Sequence, residues 1–93
     1  MENLLPEAYK TAMQREILLF AALRDAAGTD SLVIDVGSDA TAADVICEVA
    51  QRVPSMQTLL ASCRVALDSR YVANTQPLGT ATEIAIIPPV SGG

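Results

Sequence analysis

Hydrophobic and polar residues follow two different periods along this chain, and these periods predict its secondary structure. Residues 16–22 form a nearly continuous apolar run, which is typical of a central strand buried on both faces. Residues 31–36 alternate, with Leu32, Ile34 and Val36 on one face, as expected for a half-buried strand. The two segments therefore predict an antiparallel pair of strands.

Helical patterns lie between and after these strands. Residues 24–27 predict a helical turn that Gly28 ends in the left-handed conformation. The clearest helix follows Thr41, a good N-cap, because Asp44 three positions later completes the pattern of a capping box. Its apolar face comprises Val45, Ile46, Val49, Ala50 and Val53, and Pro54 stops it. A short second helix is predicted within residues 55–62, with Met56, Leu59 and Leu60 turned inward.

Three short strands are predicted in the last third of the chain. Residues 65–67 and 71–72 flank a turn at Asp68 and Ser69. Residues 83–87 form the last strand, with Ile84 and Ile86 on one face and Ala85 and Ile87 on the other. The order β-β-α-β-β-β, with one main helix packed across a mixed sheet, predicts an α+β roll of the β-grasp kind.

Length and composition limit the chemistry available to the chain. With 93 residues it forms one domain, and without histidine it cannot build a Ser-His-Asp triad, a Cys-His pair or a His-containing metal site. Cys47 and Cys63 lie sixteen positions apart, without the spacing of a zinc or redox motif. We therefore expect no metal site and no independent active site.

Charge and hydropathy limit the kinds of partner that this chain is expected to bind. Six cations are scattered among eleven carboxylates, and only three residues are aromatic, so we expect no nucleic-acid binding. The apolar run at residues 17–23 is too short to span a bilayer, and Glu2, Glu7 and Glu16 oppose a signal-peptide interpretation. Two apparently unpaired cysteines favour a cytoplasmic location. These features are typical of a small acidic protein that binds other proteins.

The last six residues, 88–93, form a distinct segment. Pro88 and Pro89 prevent further strand pairing and keep the chain extended, and Gly92 and Gly93 allow the backbone to enter a channel too narrow for side chains. Such a segment would deliver a terminal carboxylate, which ATP can activate as an acyl-adenylate. The chain thus divides into a flexible extension at 1–14, a β-grasp domain at 15–87 and an extended tail at 88–93. A glycine-rich end that merely frays is the simpler alternative.

Two motifs of this chain resemble those of a known family. The first is residues 19–25, Leu-Phe-Ala-Ala-Leu-Arg-Asp, followed by Gly28, and the second is residues 83–93, Glu-Ile-Ala-Ile-Ile-Pro-Pro-Val-Ser-Gly-Gly. They are similar to the opening strand and turn and to the ending of the ubiquitin-like sulfur carriers, and within them of the MoaD family of small subunits of molybdopterin synthase. The diproline makes the second motif the more specific one. The resemblance covers residues 15–93.

The resemblance implies a sulfur-transfer cycle with three partners. A MoeB-like adenylating enzyme activates Gly93 with ATP, and a sulfur donor protein converts it to a thiocarboxylate. A MoaE-like large subunit then receives the sulfur for cyclic pyranopterin monophosphate, within a heterotetramer. No cofactor is expected on this chain, because ATP belongs to the activating enzyme. Gly93 is the reacting residue, and the expected partner-binding residues are Ile87, Pro88, Pro89, Val90, Ser91, Gly92 and Arg24.

Some alternatives stay open at this level. Some relatives carry Phe-Phe where this chain has Ile86 and Ile87, and relatives often have Asn where it has Asp68. Ile87 could equally belong to a second buried face, and Arg24 could be an ordinary solvated arginine. The chain could also be a carrier for a thiamine-type pathway, a ubiquitin-like protein tag or a β-grasp adaptor without carrier chemistry.

Overall fold

A computed structural model describes residues 12–89, which form five strands and three α-helices. In chain order the elements are β1 (Ala12–Leu19), α1 (Ala22–Ala27), β2 (Ser31–Gly37), α2 (Ala42–Arg52), a 3₁₀ turn (Pro54–Met56), α3 (Gln57–Leu60), β3 (Arg64–Leu67), β4 (Arg70–Val72) and β5 (Ile84–Ile87). No helix within these residues is long and apolar enough to cross a membrane. Residues 1–11 and 90–93 lie outside the description.

The strands form one mixed sheet in the order β2-β1-β5-β3-β4. β1 pairs antiparallel with β2 and parallel with β5, and β3 pairs antiparallel with both β4 and β5. β5 therefore lies in the middle of the sheet although it comes last in the chain. The predicted α+β fold of the β-grasp kind is confirmed.

The first strand begins and ends earlier than its apolar run indicates. Met13 and Gln14 continue the antiparallel ladder opposite Val36 and Asp35, so a domain boundary at residue 15 is wrong for residues 12–14. Backbone pairing rather than hydrophobicity extends the strand here. Predicted strand residues beyond Leu19 instead form the turn into α1 and its first residue.

The prediction that β1 is buried on both faces is also wrong. Ile17 and Leu19 are buried, whereas Glu16 and Phe20 are exposed. The helices cover only one face of the sheet, so alternate side chains of β1 point toward the core and away from it.

The main helix packs on the covered face as predicted. Its capping box is formed, with the backbone N–H of Thr41 donating to Asp44 Oδ2 over 2.9 Å. Val45 and Val49 are fully buried against the sheet. The rest of the core comes from the inward sides of the strands, from α1 and the short helices, from the first residue of α2 and from two loop residues, namely Ile17, Leu19, Leu23, Ile34, Val36, Ala40, Ala42, Met56, Leu60, Val65, Leu67, Leu78, Ile84 and Ile86.

One inward prediction in the short second helix is wrong. Met56 and Leu60 are buried, but Leu59 is 38% exposed. Met56 and Leu60 are four positions apart and share the inward side, whereas Leu59 is rotated about 100° from Leu60 around the helix axis. A helix of one turn has no room for a wider apolar face.

Candidate functional site

The sheet face away from the helices carries an apolar groove of about 270 Å³. β1 ends at the groove, and β3, β4 and β5 contribute its floor and sides. Its lining consists of Phe20, Ala66, Ser69, Tyr71, Glu83, Ala85 and Ile87. Small alanines form the floor, and larger side chains rise around them, as in a site that receives an apolar group.

The turn that follows β1 places Phe20 at the groove. Ala21 has φ 51° and ψ −124°, a conformation that normally favours glycine. The carbonyl of Phe20 accepts the N–H of Leu23 over 3.0 Å, and that of Ala21 accepts the N–H of Asp25 over 3.1 Å. These bonds maintain the strained turn and leave the Phe20 ring on the open face, 42% exposed.

Sequence reasoning placed Phe20 in a buried strand and missed this role. Apolar content alone does not distinguish a core residue from one on an open face. The available signal was the Arg24-Asp25 pair so soon after Phe20, because a helical turn there requires the chain to leave the sheet at once.

Tyr71 lines the groove, and Arg64, which is not part of the lining, packs over the Tyr71 ring. The guanidinium carbon of Arg64 lies 5.0 Å from the centre of the Tyr71 ring, within the range of a cation–π contact. Arg64 is also the partner of Ile87 in the β3–β5 ladder, so its positive charge lies beside the last residue of β5. Neither Arg64 nor Tyr71 was a predicted site residue.

Asp68 holds the other end of β5. It lies with Ser69 in the β3–β4 turn, both with positive φ, and its Oδ1 accepts the N–H groups of Thr82 and Glu83 and the Thr82 hydroxyl, each over 2.9 Å. The bond from the Glu83 N–H and the Thr82 hydroxyl bond lower the pKa of the Asp68 carboxyl. An aspartate thus acts as an acceptor for the loop that leads into β5.

A family model described as the ThiS family matches residues 17–93, which include the whole groove and the Gly-Gly ending. The chain belongs to this family. The match includes both the open sheet face and the segment that leaves it.

Two curated relatives agree with the family match. The chain is 32% identical over 83 residues to the molybdopterin synthase sulfur carrier subunit of Chlamydomonas reinhardtii, covering 87% of this chain and 100% of the relative. It is 36% identical over 83 residues to the protein of the same name in Dictyostelium discoideum, covering 86% of this chain and 96% of the relative.

Solved structures show the same fold. Small archaeal modifier protein 1 of Haloferax volcanii aligns with a TM-score of 0.76 and 27% identity over 87% of this chain and 100% of its own. A chain in the complex of subunits 1 and 2 of molybdopterin-converting factor from Helicobacter pylori aligns with a TM-score of 0.59 and 22% identity over 87% of this chain and 100% of its own. The second likeness concerns the fold alone.

The segment shared with ThiS-family proteins leaves the sheet at Ile87. Ile87 and Pro88 are half-buried, and Pro89 is exposed. Ile87 lines the groove on the face opposite Ile86, so it is not part of a second closed core. Val90, Ser91, Gly92 and Gly93 lie outside the described residues, and their predicted roles stay predictions.

Arg24 and the two thiols lie apart from the groove. Arg24 is exposed on α1 and does not line the groove, so its partner role also stays a prediction. Cys47 is an exposed free thiol, and Cys63 donates to the carbonyl of Leu59 over 3.1 Å while burial raises its pKa. Within residues 12–89, no group of three acidic, cysteine or histidine side chains could hold a metal.

Proposed function

We propose that this chain is the sulfur carrier subunit of a molybdopterin synthase and that its Gly93 carboxylate carries the sulfur. The observation that carries the proposal is the share of each relative that the alignment covers. The two curated relatives align over 100% and 96% of their own lengths, and both are named molybdopterin synthase sulfur carrier subunit. The family match also extends through Gly93.

The proposed chemistry takes place at one carboxylate. A Gly93 oxygen attacks the α-phosphorus of ATP on an adenylating enzyme, and pyrophosphate leaves. Hydrosulfide supplied by a donor protein then attacks the acyl carbon, and AMP leaves with the oxygen that joined it to the carbon. The product, after loss of the sulfur-bound proton, is a thiocarboxylate. Its sulfur passes to the pterin precursor on the large subunit, and hydrolysis by water restores the Gly93 carboxylate. ATP thus serves the activating enzyme, and this chain supplies no catalytic side chain of its own.

The described residues support this role by positioning the tail. β5 is held between β1 and β3, and Asp68 secures the loop that precedes it. The chain therefore leaves the sheet from a fixed point at Ile87 and continues through two prolines. We propose that the groove beside this point receives an apolar side chain of the activating enzyme or of the large subunit while the tail enters the active site.

The proposed location is the cytoplasm. The two thiols within the described residues are free, and Cys63 remains in its thiol form because burial raises its pKa. Free thiols are the expected state in a reducing compartment.

A second candidate function is that of a protein tag. The likeness to small archaeal modifier protein 1, with its TM-score of 0.76, favours this candidate. A tag and a sulfur carrier share the acyl-adenylate and differ in the nucleophile that attacks it, which is a lysine amine in the first case and sulfur in the second.

Intact mass spectrometry tests the proposal. The chain is incubated with a candidate adenylating enzyme, ATP and a sulfur source, and we expect a mass gain equal to exchange of one oxygen for sulfur. Deletion of Gly93 and addition of one alanine after it should both abolish the gain, while Ser91→Thr should preserve it. An unchanged mass, with an enzyme proven active on another carrier, would contradict carrier chemistry. Gly93–lysine adducts in place of the thiocarboxylate would favour the tag.

The acceptor needs a separate assay. The thiocarboxylate form is mixed with the large subunit and cyclic pyranopterin monophosphate, and we expect molybdopterin to form in proportion to the thiocarboxylate consumed. Sulfur transfer to a thiazole precursor but not to the pterin would assign the chain to a thiamine-type pathway instead.

A further inference from the structure

The β2 edge of the sheet, remote from the groove, has backbone groups free to pair with another strand. Among residues 12–89, β2 is an outer strand that pairs with β1 alone. The Leu19 N–H donates to the Asp30 carbonyl over 2.7 Å, which sets the alternation of the β1–β2 ladder. By that alternation, the N–H and C=O groups of Ser31, Val33 and Asp35 point outward from the sheet.

The first half of this edge is closed by side chains. The Thr29 hydroxyl donates to the Ser31 carbonyl over 3.2 Å, and Arg52, at the end of α2, donates to the Val33 carbonyl over 2.9 Å. Such contacts are a common way of protecting an edge strand from unwanted pairing.

The second half is open. Within residues 12–89, no hydrogen bond is made to the Val33 N–H or to either backbone group of Asp35. An added strand would therefore find a free N–H donor at Val33 and, two residues later, a free N–H donor and a free C=O acceptor at Asp35. This spacing is the one that strand addition uses. Beyond Asp35 the edge ends, because the Gly37 carbonyl accepts the Ala40 N–H in a turn.

An acidic cleft of about 240 Å³ lies beside the open half, between β2 and the first turns of α2. It is lined by Asp35, Val36, Gly37, Asp39, Ala40, Asp44, Cys47 and Glu48. The Asp35 side chain points to the opposite face of the sheet, so the cleft holds the carboxylates of Asp39, Asp44 and Glu48 and no cation. Asp44 is committed to the capping box, while Asp39 and Glu48 make no hydrogen bond to another described side chain. The cleft therefore favours positive charge.

We propose that this edge binds an extended, basic segment of another protein by strand addition. The segment pairs its backbone with Val33 and Asp35, and a lysine or arginine side chain enters the acidic cleft. A second copy of this chain is a poor occupant, since the net charge is −5 and pairing two such edges would bring their acidic clefts together. The site is at the opposite edge of the sheet from β4, so a partner could occupy it while the tail is engaged elsewhere.

Peptide titration followed by NMR tests this proposal in the full chain. The probe is the acetylated and amidated hexapeptide Lys-Val-Lys-Val-Lys-Val, and its control is the same peptide N-methylated at alternate residues, which keeps the charge but removes backbone donors. At saturation we expect hydrogen exchange at the Val33 and Asp35 amides to slow about tenfold. The N-methylated peptide should bind about tenfold more weakly.

Matched variants separate the cleft from general charge attraction. Asp39→Asn/Glu48→Gln should weaken binding about tenfold, whereas Asp25→Asn/Asp30→Asn, which removes equal charge elsewhere, should change it less than about twofold. Circular dichroism confirms that both variants fold. Equal binding of the two peptides, equal effects of the two variants, or amide changes centred on the groove would each overturn the proposal.

Discussion

The two faces of the five-stranded sheet carry similar apolar side chains in very different surroundings. Ile86 and Ile87 are adjacent in β5, yet Ile86 is fully buried under the helices and Ile87 borders an open groove. Leu19 and Phe20 repeat the contrast at the end of β1. The covered face stabilises the fold, whereas the open face leaves apolar surface exposed.

This difference teaches that hydrophobicity in a strand does not by itself identify a core position. On the covered face, α2 excludes water from the strand side chains. On the open face, small alanines at positions 66 and 85 leave a depression between larger neighbours. Both faces obey the same alternation, and only the location of the helices distinguishes them.

The largest expected effect comes from truncating an isoleucine to alanine on each of the two faces of the sheet. Ile86→Ala should lower the free energy of unfolding by about 2–5 kcal/mol, because it leaves a cavity in the core. Ile87→Ala should lower it by about 1 kcal/mol or less, because the side chain is already half-solvated. Urea denaturation of the two variants measures the difference. Similar losses would show that the open face is as structural as the covered one.

Phe20→Ala tests the open face through its function. We expect its thiocarboxylate formation to fall about tenfold in kcat/KM, mostly through KM, because an apolar anchor is lost from the groove. Leu59→Ala is the matched control, since Leu59 is similarly exposed at 38% but lies outside the groove. An equal effect of both substitutions would remove the groove from partner binding.

The strained turn that follows Phe20 should give a smaller effect, and here a substitution should stabilise the fold. Ala21→Gly should raise the free energy of unfolding by about 1 kcal/mol, because glycine tolerates the positive φ of this position. Ala22→Gly, one residue later in α1, should lower it by about 1 kcal/mol, as glycine does in helices. Thermal unfolding compares the two, and a loss of stability in both would argue against strain at Ala21.

The smallest effect is expected at Asp68 and depends on pH. Its pKa is lowered in the folded chain, so its contribution is fully present above the ordinary aspartate pKa and is lost as pH falls through the folded value. Asp68→Asn keeps an acceptor that does not titrate, so its stability should fall less steeply with acid than that of the parent chain. Denaturation midpoints measured at a series of acidic pH values test this, and parallel curves for the two proteins would contradict it.

Local patterns predicted the parts of the fold that depend on neighbours in sequence. The alternation at residues 31–36 and the capping box at Thr41 each reflect short-range geometry, and the structure confirms both. The division of β5 between Ile86 and Ile87 follows from the same alternation. In contrast, the extension of β1 to Ala12 depends on a partner strand more than twenty residues away, which no local pattern encodes.

The candidate site likewise has one part that local sequence predicts and one part that it does not. The tail motif at residues 83–93 could be recognised from the sequence because its prolines restrict the backbone directly and its glycines carry no side chain. The groove could not be recognised in this way, because Phe20 follows β1, Tyr71 lies in β4 and Ile87 lies in β5, and these segments meet only through the sheet order. Arg64 likewise acquires its place beside Ile87 through strand register.

The sequence by itself determined the class of the fold and the main helix with its cap. These properties depend on backbone preferences and hydrophobic periods that operate over a few residues. Only the tertiary structure decided which apolar residues are core and which line the groove, and which half of the β2 edge remains open. Those outcomes depend on which elements cover which surfaces, because the same side chain is buried or available according to what packs against it.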